Sequence, residues 1–137
     1  MRLTQFSDYA LRVLMYVAKH ADRQTTIAEI AAAHAVSESH LMKVVNRLST
    51  HGYLATLRGR GGGLRLARPA GDISVGQVVR DMESLSFVEC LAPDYDRDCR
   101  LFPRCGLMRV MRDALEDFLR SLDRHNLAEI AASPPHH

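Results

Sequence analysis

From Thr4 to His20 the apolar positions Phe6, Tyr9, Ala10, Val13, Leu14 and Val17 recur every three or four residues, as one buried helical face requires. Thr26-Ile27-Ala28-Glu29 is a capping box, in which the hydroxyl takes an orphan N–H and the glutamate reaches back, and it opens a second helix ending near His34. After a break at Ala35-Val36, Ser37 caps a third helix with Leu41, Val44, Val45 and Leu48 facing inward, and Gly52 ends it. Tyr53 to Arg58 and Leu64 to Arg68 read as two short strands around Gly59-Arg60-Gly61-Gly62-Gly63. Ser74-Val75-Gly76-Gln77 is a second capping box, with Ile73 placed to staple onto Val78. It predicts a fourth helix to about Met82, packed on the first. A broad stripe of Leu107, Val110, Met111, Ala114, Leu115, Phe118, Leu119 and Leu122 then predicts a long helix.

Two helices joined by a tight turn and followed by a hairpin read as a winged helix-turn-helix, so the fold class is mainly α with a small β wing. Residues 1–83 form this domain, 84–105 a loop carrying the cysteines, 106–130 a dimerisation helix and C-terminal segment, and 131–137 a disordered tail. The polar face of the third helix, Ser37, Ser39, His40, Lys43, Asn46 and Arg47, suits a major groove. Taken alone, an amphipathic helix with a solvated face reads equally well. The hairpin changes the balance, because Arg58, Arg60, Arg65 and Arg68 crowd it and an arginine on a thin glycine loop can enter a minor groove. Ser37, Ser39, His40, Lys43, Arg58 and Arg60 are the candidate DNA contacts. A Walker-type phosphate loop is excluded, since it needs a Gly-Lys-Ser or Gly-Lys-Thr ending and a helix directly after, whereas a strand and Pro69 follow here.

Charge agrees with this division. Residues 1–80 hold eleven Lys or Arg against five Asp or Glu, while the remainder hold seven against eleven. The front half therefore has the sign that phosphates require. With 137 residues, 47% of them hydrophobic, the chain can bury a core. No apolar run approaches the roughly 18 residues of a membrane span, and the start of the chain lacks a signal-peptide pattern, so a cytoplasmic protein is expected. There is no evident substrate constellation, and the chain is not read as an enzyme.

Cys90, Cys99 and Cys105 are separated by eight and five residues. An odd number of thiols cannot all pair within one chain. Zinc sites favour cysteines two to four residues apart, whereas an iron-sulfur cluster spreads its ligands over several irons and tolerates wider gaps. Cys105-Gly106 lies just before a helix, whose positive dipole end favours a metal-binding thiolate, and Leu101, Phe102 and Pro103 can shield a cluster. Three ordinary cysteines acting as small apolar residues are the plain alternative. Three sulfurs leave one iron of a four-iron cluster to another side chain, to solvent or to a second subunit. The stripe on the last long helix either pairs with its counterpart across a two-fold axis or packs within its own chain.

The chain resembles the nitric-oxide-sensing repressors of the NsrR type, within the winged-helix family that also contains IscR. The residues carrying the resemblance are Leu3 to Arg12, Ser37 to Leu48, Arg58 to Leu66, the three cysteines and Leu122 to Ala128. It implies a homodimer on double-stranded operator DNA, one cluster per subunit (4Fe-4S, with 2Fe-2S as the alternative), and release when nitric oxide damages the cluster. It also implies Cys90, Cys99 and Cys105 as cluster ligands, Asp8 as a carboxylate ligand supplied to the partner chain, and Arg12 as its orienting neighbour. IscR-like proteins would use a histidine three residues after the last cysteine, where this chain has Met108. An IscR-like regulator of redox or cluster status, or a cluster-free thiol switch, are the alternatives.

Overall fold

The structure, a computed structural model, describes residues 2–96 and 98–132. Thr4 caps α1 (Gln5–Lys19), its hydroxyl accepting from the Ser7 N–H. Both arms of the Thr26/Glu29 capping box close at the start of α2 (Ile27–His34). Ala35 then takes a left-handed conformation, φ 54°, which folds the chain back so that Val36 N–H reaches the Ala31 carbonyl at 3.0 Å. This turn sets α3 (Glu38–Thr50), capped by Ser37, against α2.

Strands β1 (Leu54–Leu57) and β2 (Gly63–Leu66) pair antiparallel, Leu54 opposite Leu66 and Leu57 opposite Gly63. Both are shorter than the alternation suggests, because Arg58 already belongs to the glycine turn and Arg68 leaves the ladder toward Pro69. A bridge from the α1–α2 connection was not legible in the pattern. Thr25 exchanges both backbone hydrogen bonds with Leu64, at 3.1 and 2.6 Å. A Cβ on Gly63 would stand 2.5 Å from the Thr25 carbonyl oxygen, so only glycine lets this bridge close.

Helix α4 (Val75–Met82) starts at the expected Ser74 cap, but the second capping box closes on one side only. The Gln77 side chain donates to Asp81 at 3.2 Å instead of reaching back. The backbone around Ser74 is held by the C-terminal segment, with Val75 N–H on the His125 carbonyl and Leu127 N–H on the Ile73 carbonyl. After α5 (Gly106–Asp123), Asn126 caps a short α6 (Leu127–Ala132), its side chain accepting from Glu129 N–H at 2.9 Å. Helix α6 packs on α1. It corrects the boundary drawn at residue 130, because α6 runs through Ala131, which is buried, to Ala132; the rest of the expected tail, 133–137, lies outside the described residues.

One core joins Val13, Leu14 and Val17 of α1 to Ile30, Leu41, Val44, Leu48, Tyr53, Leu64, Ile73, Val78 and Leu127. The α5 stripe divides. Phe118 and Leu122 line an apolar groove with Val75, Val79 and Phe87, whereas Leu107 and Val110 near the helix start are 57% and 60% exposed.

Two expectations follow. Arg23 grips both Glu29 oxygens at 2.9 and 2.8 Å, and this contact, ahead of the Thr26 N–H and the Tyr16 hydroxyl and against partial burial, holds the Glu29 carboxyl near 2, from an ordinary 4.5. A depressed acid contributes stability above its unfolded value and loses it as pH falls through the folded one. Glu29→Gln is therefore less stable than wild type at neutral pH, and the gap closes as pH drops from about 4.5 toward about 2. Urea unfolding in a pH series measures this. Gly63→Ala is expected to cost about 1–3 kcal/mol through overpacking, while Gly71→Ala, with open space around it, stays near neutral in the same denaturation assay.

Candidate DNA interface and metal centre

On α3 the buried set Leu41, Val44, Val45 and Leu48 faces the core. The helical repeat therefore turns Ser39, Lys43 and Asn46 outward, and all three are exposed. Ser37 accepts from the His40 N–H at 3.2 Å and lies 3.5 Å from the Ser39 hydroxyl. The His40 ring meets Tyr9 of α1 edge-on, centroids 5.1 Å apart, and Gln5 donates to the Tyr9 hydroxyl at 2.8 Å. His40 is thus presented on a prepared support. Arg47, placed on the reading face from sequence, is turned away: its guanidinium donates to the Asp81 carbonyl at 2.9 Å and lies over the Phe6 ring.

Asp81 of α4 ties the reading elements together. Its carboxylate accepts from the Tyr53 hydroxyl at the foot of the wing and from Gln77, and it lies 3.8 Å from His51 at the end of α3. Burial first, and then the Asp81 carboxylate, push the Tyr53 phenol well above its ordinary range. The phenol therefore stays a hydrogen-bond donor. Arg68 covers the Tyr53 ring at 4.7 Å, so this wing arginine also serves the fold. Arg58 and Arg60 remain exposed on the loop between the strands. That loop has a defined shape, with Gly59 and Gly61 at φ 92° and 72° and Gly62 N–H on the Gly59 carbonyl at 2.9 Å.

The neighbouring residue, Arg80, faces the other way. It makes a two-pronged pair with Asp123 at the end of α5, 2.5 and 2.8 Å. The Arg80 contact holds the Asp123 carboxyl below its ordinary range, and a Cβ on Gly76 would collide with the same carboxylate. The C-terminal end of α5 is therefore fixed to the reading domain.

The opposite end of α5 carries the thiols. Cys105 is its N-cap residue, half-buried beside Arg104, Arg109 and Arg112 around a cavity of about 410 Å³. Cys90 lies half-buried in a 3-10 turn, Glu89–Leu91, that touches α5. Cys99 is exposed, its N–H donating to the Tyr95 hydroxyl at 2.7 Å, and the Tyr95 ring packs on Phe102. All three thiols are free. Among the described residues no three His, Cys, Asp or Glu side chains converge as a metal site within one chain. The donor chemistry, soft thiols without a competing disulfide, fits an iron-sulfur cluster; their convergence would require the 84–105 segment to close. Asp8 sits in the first turn of α1, about half exposed, with Arg12 Nε on its Oδ1 at 3.1 Å.

The sequence profile of the Rrf2 family, described as an iron-dependent transcriptional regulator, matches residues 3–133. The chain belongs to the Rrf2 family. Solved structures of the same fold include oxidized CymR of Staphylococcus aureus, 26% identical over 99% of this chain and 100% of that one, TM-score 0.73. CymR of B. subtilis, the global cysteine regulator of that organism, is 24% identical over 98% and 99% with TM-score 0.71. T. potens IscR is 22% identical over 99% and 90% with TM-score 0.74.

In this Rrf2 protein Ser37, Ser39, His40 and Lys43 share one end of α3, and Arg58 and Arg60 share the wing loop. The cysteines and Asp8 are not gathered within a single copy. Sequence reasoning missed the supporting roles of Gln5, Tyr9, Asp81 and Asp123, although Gln5, Tyr9 and Asp123 lay within segments already singled out. Tyr53→Phe removes the hydroxyl that reaches Asp81 and is expected to cost about 1–3 kcal/mol, read by denaturation. It is also expected to weaken sequence-specific DNA binding more than non-specific binding, because the wing loses its fixed angle to α3.

Proposed function

We infer that this Rrf2 protein is an iron-sulfur-dependent repressor that grips operator DNA as a homodimer and releases it when nitric oxide damages the cluster. The observation that carries this reading is the placement of three free thiols in the segment feeding α5, with Cys105 at its N-cap, in a family described as iron-dependent. Cys90, Cys99 and Cys105 hold the cluster, one per subunit, and Asp8 of a second copy completes it. The bare start of α5, Leu107 and Val110, supports pairing of two copies. Arg12 orients the Asp8 carboxylate, its Nε 3.1 Å from Oδ1. When bound, a cluster supplies iron with which nitric oxide reacts. An oxygen donor is a weak ligand for a soft iron site, so Asp8 would be the most readily displaced of the residues that would hold a cluster. Movement of the 84–105 segment is carried through α5 to Asp123 and Arg80, and from α4 to the wing and α3.

A second reading, a cluster-free thiol switch, is favoured by the exposure of Cys99 and by the likeness to oxidized S. aureus CymR. An IscR-like role is less well matched, since Met108 stands three residues after Cys105.

Anaerobic purification with absorption spectroscopy and iron and sulfide analysis separates these. Visible absorption with inorganic sulfide, lost on Cys99→Ser and altered in its nitric oxide response by Asp8→Ala, is expected, together with loss of DNA affinity on nitric oxide titration. Sulfide-free protein after attempted reconstitution that binds DNA and lets go on forming a disulfide overturns the cluster reading in favour of the thiol switch.

A further inference from the structure

The polar reading face of α3 contains one large apolar side chain. Met42 is 52% exposed, and Ser39, Met42, Lys43 and Asn46 follow the i, i+3, i+4, i+7 spacing of a single helical strip opposite the buried set. Exposed methionines are ordinary on protein surfaces. Its place is what sets Met42 apart.

The two flanks of the outward strip differ. On one side His40 is braced by Tyr9, and Arg47 is drawn back to Phe6 and the Asp81 carbonyl. On the other, Met42 lies half exposed beside Lys43, which is also exposed. Within a major groove the one apolar feature on a base edge is the thymine 5-methyl group. An unbranched, polarisable side chain with three rotatable bonds adapts to such a contact at little strain.

We propose that Met42 is a specificity-determining residue that reads a thymine 5-methyl group in each half-site of the operator. The inference rests on the DNA-binding reading of α3, and Lys43 supplies the phosphate or purine contact beside it. Burying a methyl against a thioether is worth about three- to tenfold in affinity, without changing the salt dependence, because no phosphate contact is involved.

The test uses the full-length dimer. Duplexes selected from a random-sequence pool by the wild-type protein supply the probe, and each thymine is replaced in turn by deoxyuridine, which deletes only the methyl. One thymine per half-site is expected at which deoxyuridine costs wild type about three- to tenfold and costs Met42→Ala and Met42→Gln nothing. Met42→Leu is expected to restore the sensitivity, and all three variants are expected to keep the wild-type salt slope. Equal deoxyuridine losses in wild type and Met42→Ala at every thymine overturn the proposal. Failure of wild type to select any sequence, or indifference to Lys43→Ala, instead overturns the DNA-binding reading of α3.

Discussion

The carboxylate of Asp81 is the constraint on which the reading surface depends. The recognition helix and the wing meet in the core through Leu48, Tyr53 and Leu64, and Asp81 adds directional contacts that fix their relative angle. Asp81 takes the Tyr53 hydroxyl from the wing and lies beside His51 at the end of α3, while its own carbonyl takes Arg47. The elements are thus referred to one short helix, α4. Arg80, on the other side of that helix, refers the same frame to α5 through Asp123. Consecutive residues therefore join the reading half of the chain to the half that carries the thiols, by ion pairs and hydrogen bonds whose geometry is directional.

This arrangement gives the proposed switch a physical route. The end of α5 near Asp123 is clamped, whereas its beginning, next to Cys105, shows apolar side chains to solvent. In the proposed switch, a disturbance at the thiol segment would act on a helix anchored at its far end by the Arg80–Asp123 pair. Helical rods transmit rotation well because their packed positions are discrete.

Much of the fold was legible because its signals are local. Thr26, Ser37 and Ser74 mark helix starts by chemistry that acts within one turn, and each is found as a cap. The hairpin is announced by its glycines. What escaped depends on partners far apart in the chain: the Thr25–Leu64 bridge, the Arg80–Asp123 pair, and the docking of α6 on α1. Arg47 shows the limit most plainly. Helical periodicity puts it near the polar face, and only the position of Phe6 and Asp81, set by tertiary packing, draws it inward. For the thiols, spacing indicated a class of ligand set, but the three side chains do not converge within one copy, and local sequence carries no signal for that.

The glycine loop of the wing has a consequence of its own. Four glycines among five residues would ordinarily make a floppy tether, and a floppy arginine loses freedom whenever it enters a groove. Here alternate glycines occupy left-handed turns, a backbone hydrogen bond crosses the tip, and Gly62 fits where a methyl would strike the Leu57 carbonyl. Most of the ordering is complete when the domain folds. Arg58 and Arg60 are thus carried on a shaped strap, so the contact with DNA proposed for them would need no slow search over loop conformations.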